Sequence, residues 1–76
     1  MSQKLPLLSA RQVVNALEKV DFHEIPGRGK GSHVFVHRKE PAKGITIPNR
    51  KQLKRGLLRA IVRQADLTVE EFLKLL

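Results

Sequence analysis

The segment GSHVFVHRKEPAKGITIP, residues 31–48, decides the fold. Side chains alternate along residues 32–37, so that a serine and two valines share one face of a strand while two histidines and a phenylalanine share the other. Residues 39–44 contain a proline and a glycine, and we expect them to form a loop. Residues 45–47, Ile-Thr-Ile, predict another strand, which ends at the proline that follows.

Upstream of this segment, residues 22–26 alternate imperfectly and predict a first short strand before a glycine-rich turn. Helices are expected on both sides of the strands, because residues 10–20 and 53–65 carry apolar side chains three and four residues apart, with Leu57 in the second stripe. We also expect a short C-terminal helix whose apolar side chains, including that of Leu76, face the core. The spacings that suggest side-chain caps are Ser9 with Gln12, Asn49 with Gln52, and Thr68 with Glu71.

These elements predict an α+β domain with the order α-β-β-β-α. A three-stranded antiparallel sheet would carry two helices on one face, with a short C-terminal helix added. The other face of the sheet would remain open, as in double-stranded-RNA-binding domains. No repeat, linker or low-complexity tract divides the sequence, so we expect residues 1–76 to form a single domain.

The composition excludes several classes of function. A chain of 76 residues buries only about 60% of the surface that its unfolded form exposes, so we expect chemistry on a surface rather than in a deep cavity. The absence of cysteine excludes disulfides and thiolate chemistry. The histidines and carboxylates lack the spacings of common metal sites, and we expect no metal and no other cofactor. No apolar run reaches the ~18 residues of a membrane span, and the simplest compartment is the cytoplasm.

Positive charge is concentrated in the middle of the chain. Residues 27–63 contain eleven basic residues and one acidic residue, a net charge of +10, whereas the whole chain carries +8. Such a block most often binds a polyanion, and nucleic acid is the commonest. The alternative is a solvated basic face that only keeps the protein soluble. A membrane surface is disfavoured, because the sequence shows no basic amphipathic helix with large apolar anchors.

His33 is the strongest candidate for a catalytic group. It follows the turn 27–31, where glycines let backbone N–H groups approach an anion and where Arg28 and Lys30 supply cations. Imidazole exchanges protons near neutral pH, and with cations it can transfer a phosphodiester onto the neighbouring 2′-hydroxyl of RNA. His37 lies about 13 Å further along the strand, so we expect it to be a binding contact at most. The alternative is that His33 only packs or is solvated.

The second helix carries Arg55, Arg59 and Arg63 on one stripe, with Lys51 and Lys54 near its start. These cations and the positive end of the helix could contact phosphates, although such stripes are more often simply solvated. The chain has three phenylalanines and no tyrosine or tryptophan. We therefore expect contacts to the backbone and shape of a nucleic acid rather than stacking on its bases.

Five short motifs follow one another along the chain: GSH at 31–33, ITIP at 45–48, GLLRAI at 56–61, RQADLT at 63–68 and EEFL at 70–73. With this order and length, the sequence resembles the HicA-type toxins of bacterial and archaeal toxin–antitoxin pairs. The resemblance covers nearly the whole chain. No single motif is diagnostic, and the ordered set carries the resemblance.

The resemblance implies a double-stranded-RNA-binding-like fold, endoribonuclease activity on mRNA, and inhibition by a HicB-like antitoxin. The catalytic histidine of the family corresponds to His33, and the two residues before it correspond to Gly31 and Ser32. Members of the family often have a histidine where this chain has Arg50, and a glycine where it has Asp66. Because of the first difference, the chain lacks the second histidine that many family members have. The second difference alters only the connection before the terminal helix.

Residues and resemblance together predict a ribonuclease toxin in which His33 is the general acid or base. Its partner in proton transfer stays open between the cations of the turn and solvent. Two alternatives remain, a non-catalytic RNA- or DNA-binding module and a protein-interaction domain whose basic face docks an acidic partner. The residues expected to contact RNA are Arg28, Lys30, Gly31, Ser32, Lys54, Arg55 and Arg59.

Overall fold

The computed structural model describes residues 5–28 and 31–76, which form three helices and a three-stranded sheet. The elements are α1 (Ala10–Glu18), β1 (His23–Glu24), β2 (His33–Lys39), β3 (Ala42–Pro48), α2 (Arg55–Gln64) and α3 (Val69–Leu73). The fold is α+β, with helices before and after an antiparallel sheet, as in double-stranded-RNA-binding domains. Within these described residues, every helix is too short or too polar to cross a membrane.

The strands form an antiparallel meander in the order β1-β2-β3. β2 and β3 pair along their full lengths of seven residues. The expectation of a loop over residues 39–44 is therefore wrong, because only Glu40 and Pro41 turn between the strands. Strands pair through their backbones, and the lysine and glycine at positions 43 and 44 do not interrupt that pairing.

The capping boxes predicted for α1 and α3 are confirmed. Ser9 Oγ accepts a hydrogen bond from the backbone N–H of Gln12 at 3.1 Å, and the Gln12 side chain accepts one from the Ser9 N–H at 2.9 Å. Thr68 and Glu71 make the same reciprocal pair, with distances of 3.0 and 2.8 Å. Each box satisfies two N–H groups that have no partner within the helix.

The cap predicted from Asn49 and Gln52 is wrong. α2 begins at Arg55, and within the described part of the chain the side chain of its N-cap, Lys54, makes no capping hydrogen bond. The backbone N–H of Asn49 instead donates to the carbonyl of Ser32 at 2.6 Å, at the end of the β2–β3 pair. The connection from β3 to α2 therefore starts beside the first residue of β2.

The core fills the space between the helices and one face of the sheet. The sheet contributes Val34, Val36, Ile45 and Ile47, all at most 7% exposed. Leu57 and Leu76, predicted to face inward, are 36% and 49% exposed. The buried face of α2 is formed instead by Leu58, Ile61 and Val62.

Asp66 fixes the turn after α2. Its φ of 62° is left-handed, which explains why a glycine suits this position and why aspartate is among the few alternatives. Arg38 Nη2 donates a hydrogen bond to Asp66 Oδ2 at 2.8 Å, and this bond lowers the pKa of the Asp66 carboxyl from its usual 3.8. The same guanidinium lies 4.9 Å from the ring centroid of Phe22, so it links the end of β2 to the core and to α2.

Candidate nucleic-acid interface and active site

The face of the sheet that points away from the helices carries the candidate site; we call it the open face. In β2, Val34 and Val36 are buried in the core. Since side chains alternate along a strand, His33, Phe35 and His37 lie on the open face, and each is at least partly exposed. The sequence prediction that these three side chains share a face is confirmed.

His33 is exposed at one end of the open face. It is the first residue of β2 and lies opposite Pro48 of β3. The hydrogen bond from Asn49 to Ser32 closes the strand pair next to it. The imidazole therefore lies at a paired strand end, where an extended substrate can reach it without entering a cavity.

The turn before His33 has an unusual backbone conformation. Gly27 and Gly31 have φ values of +82° and +57°, and an added Cβ at either position would meet no atom of residues 5–28 or 31–76 within 4 Å. Glycine is required there by backbone conformation rather than by crowding, and the open space lets a ligand approach the main chain. Ser32 is exposed beside it. Lys30 lies outside the described residues, so its contact with RNA stays a prediction.

Phe35 lies at the centre of the open face among planar groups. The guanidinium carbon of Arg28 is 5.2 Å from the centroid of its ring. The ring of His37 lies 6.4 Å from it, centroid to centroid, with 27° between the two planes. The tip of the Phe35 ring leans over Gly44, where a Cβ would approach Cζ to 2.6 Å. Arg28 thus contacts an aromatic ring two residues from His33.

Two histidines face each other at the other end of the open face. His23 in β1 is the direct antiparallel partner of His37 in β2. Such partners have Cβ atoms about 4.5–5.5 Å apart. Sequence reasoning did not pair these residues, because the register of β1 against β2 cannot be read from either strand alone. In residues 5–28 and 31–76, no group of three or more His, Cys, Asp or Glu is placed to hold a metal ion.

The basic residues predicted on the second helix belong to a different surface. α2 packs on the core face of the sheet, so the stripe that contains Arg59 is separated from the open face by the core. Arg55 Nε donates a hydrogen bond to the carbonyl of Leu5 at 2.8 Å, which fastens the N-terminal segment. Lys54 is exposed in the connection that leaves the sheet beside His33.

The structure therefore divides the predicted RNA-contacting residues into two groups. Gly31 and Ser32 directly precede His33, and Arg28 contacts Phe35 on the same face of the sheet, whereas the residues of α2 lie on the other side. Sequence reasoning missed Arg50 as a contact and assigned Lys51 to the start of the second helix; both are exposed in the connection after Pro48, which starts at the His33 end of the sheet. Their position in the basic block of residues 27–63 was visible in the sequence. The pairing of β2 with β3, which places them near His33, was not.

Comparison with known proteins identifies one family. The model of the HicA toxin of bacterial toxin–antitoxin systems matches residues 10–67, from the first helix through the turn at Asp66. This range includes the whole sheet, the open face and α2. No match was found among curated proteins or among solved structures. Because the family model covers well over half of the chain, this protein belongs to the HicA toxin family.

Proposed function

We propose that this toxin is a metal-independent endoribonuclease that cleaves mRNA at the His33 end of the open face. The observation that carries the proposal is an exposed imidazole at the start of a paired strand, two residues after Gly31 with its left-handed backbone, within a HicA-family chain. RNA needs no cavity here, since its phosphates can lie across a charged surface.

The chemistry requires two proton transfers. The 2′-oxygen attacks phosphorus and loses its proton, while the 5′-oxygen leaves and gains one. The products are a 2′,3′-cyclic phosphate and a 5′-hydroxyl. His33 performs one of these transfers as general base or acid, a role that contributes about 10²–10⁴-fold in rate. Solvent or a cation of the turn assists the other.

Arg28 and Lys54 would help to neutralise the phosphate. Arg28 contacts Phe35 on the open face, and Lys54 is at the α2 end of the connection that starts beside His33. Backbone N–H groups around Gly31 add uncharged donors, because the absence of a side chain leaves the main chain accessible. Arg55 and Arg59 would contact RNA only where it extends past this end of the sheet towards α2.

A toxin of a toxin–antitoxin pair is held inactive by its antitoxin, and we propose that the partner is HicB-like and covers the open face. The complex would form in the cytoplasm, where mRNA is translated. An inhibitor that covers His33 and Arg28 must offer negative charge at this end of the sheet. RNA and antitoxin should therefore compete for the same surface.

The test is cleavage of a single-stranded RNA by the pure protein in the presence of EDTA. We expect cleavage to continue and the products to carry 2′,3′-cyclic phosphate. His33→Ala should remove the activity while leaving the circular dichroism spectrum unchanged. His23→Ala is the matched control, because it removes an imidazole from the same face at the far end of the sheet.

Two results would contradict the proposal. Activity that disappears with EDTA and returns with a divalent cation would show metal-dependent chemistry. RNA binding without any cleavage would favour the non-catalytic nucleic-acid-binding module instead.

A further inference from the structure

We infer that Phe35 and Arg28 form a stacking subsite for one unpaired nucleobase next to His33, so that the protein selects single-stranded over double-stranded RNA. This inference rests on the proposed function only in taking RNA as the ligand of the open face. It revises our sequence-based expectation of backbone contacts without stacking.

The first observation is the different burial of the three phenylalanines. Phe22 and Phe72 are completely buried in the core. Phe35 is on the opposite side of the sheet and is partly exposed. The Phe35 ring therefore lies outside the core, where its exposed part is accessible to a ligand of the open face.

The second observation is the set of planar groups around that ring. Phe35 has the guanidinium of Arg28 at 5.2 Å and the imidazole of His37 at 6.4 Å from its centroid. Phenyl, guanidinium and imidazole groups are the side chains on which proteins stack unpaired bases. Arg28 is exposed in a turn, so it can move aside for a base or cover its other face.

The third observation is the distance to the proposed cleavage point. Phe35 and His33 are two residues apart on one strand face, which places their Cα atoms about 7 Å apart. This separation lets a base contact Phe35 while a phosphate of the same or the neighbouring nucleotide lies against His33. Stacking would therefore help to position the scissile bond.

The predicted selectivity follows from base accessibility. In an A-form duplex, each base is paired and stacked between its neighbours, and side chains cannot reach it through the narrow major groove. Only an unpaired base can turn its flat face to Phe35. Phosphate contacts at Arg28 and Lys54 would form with both single and double strands and would not distinguish them.

The experiment measures binding without cleavage. The probe is a fully 2′-O-methylated RNA 12-mer, which lacks the attacking hydroxyl, and its affinity is measured by fluorescence anisotropy at fixed salt, alone and annealed to its complement. Phe35→Leu keeps an apolar side chain over Gly44 but removes the ring, and we expect about tenfold weaker binding of the single strand. Phe35→Tyr keeps the ring and should bind as the parent protein does.

Duplex affinity should be the same for all three proteins. A 12-mer in which abasic sugars replace all the bases should bind the parent protein about as weakly as the intact 12-mer binds the Phe35→Leu variant. Equal single-strand affinity for the parent protein and Phe35→Leu, with both folded by circular dichroism, would overturn the inference. So would an equal loss for single strand and duplex. Because the probe cannot be cleaved, a protein without nuclease activity would refute the proposed function while leaving this result to stand or fall separately.

Discussion

Gly44→Ala tests the packing that positions Phe35. Gly44 lies on the open face, and its Cβ would be 2.6 Å from Cζ and 2.9 Å from Cε1 of the Phe35 ring. Carbon atoms in good contact are about 3.5–4.0 Å apart. The ring must therefore move by about 1 Å, and because it is partly exposed it can do so by swinging away from the sheet.

Two opposing terms set the effect on stability. Alanine in a strand is favoured over glycine by roughly 0.5–1 kcal/mol, because it loses less backbone entropy on folding. Forcing the phenyl ring away from its preferred rotamer costs about 0.5–1.5 kcal/mol. We therefore expect the free energy of unfolding to change by less than about 1 kcal/mol, while the affinity for single-stranded RNA falls because the ring has moved.

Gly56→Ala is the matched control. Gly56 lies in α2, where an added Cβ meets no atom of the described residues within 4 Å. The same substitution should here raise the free energy of unfolding by about 0.5–1 kcal/mol, since no contact opposes the gain in helix propensity. RNA affinity should stay unchanged.

Urea unfolding followed by circular dichroism gives the stabilities, and anisotropy with the methylated 12-mer gives the affinities. The reasoning is refuted if Gly44→Ala stabilises the protein as much as Gly56→Ala does and leaves RNA binding intact. That outcome would mean that the contact between Phe35 and Gly44 neither constrains the ring nor matters for the ligand.

Two further predictions concern ion pairs and cations away from the open face. The hydrogen bond from Arg38 lowers the pKa of Asp66, so its stabilising contribution is present above the usual pKa of 3.8 and is lost as the pH falls through the lower folded-state value. Asp66→Asn keeps a side chain suited to left-handed backbone and should therefore be less stable than the parent at pH 7. The melting temperatures of the two proteins should converge below pH 4. A difference in melting temperature that stays constant with pH would contradict the role of the Arg38–Asp66 pair. Arg55→Ala should lower the free energy of unfolding in urea by about 1 kcal/mol, because it removes the hydrogen bond to the Leu5 carbonyl. Arg59→Ala is the control and should leave the free energy of unfolding unchanged. Equal losses for the two variants would show that the hydrogen bond contributes nothing.

The side chains that form the site could largely be assigned to one surface from the sequence. The two valines between His33 and His37 predict which face of β2 is buried, and the alternation then puts the remaining side chains on the other face. The capping boxes at Ser9 and Thr68 were equally readable, because both partners lie within four residues. In each case the deciding interaction is local.

The remaining features depend on pairing between segments distant in sequence. The contact of Phe35 with Gly44 follows from the register of β2 against β3, which the tight turn at Glu40–Pro41 sets. The opposition of His23 and His37 follows from the separate register of β1 against β2. The proline and the glycine in residues 39–44 predict a loop, yet all of these residues except Glu40 and Pro41 are paired in the sheet.

The helix errors have a geometric cause. Successive residues of an α-helix are about 100° apart, so the buried Leu58, Ile61 and Val62 centre on a direction about 90° from Leu57, which places Leu57 at the edge of the buried face. The stripe containing Arg55 and Arg59 likewise predicts a basic surface without indicating which side of the sheet it occupies. Only the packing of α2 against the core face settles that.

The central claim is that His33 transfers a proton during RNA cleavage. The most direct measurement is the single-turnover cleavage rate of a single-stranded RNA at saturating protein, in EDTA, for the parent protein and the variants His33→Ala and His23→Ala. The account predicts a loss of about 10²–10⁴-fold for His33→Ala and little change for His23→Ala. A His33→Ala protein that cleaves at the parent rate would contradict it.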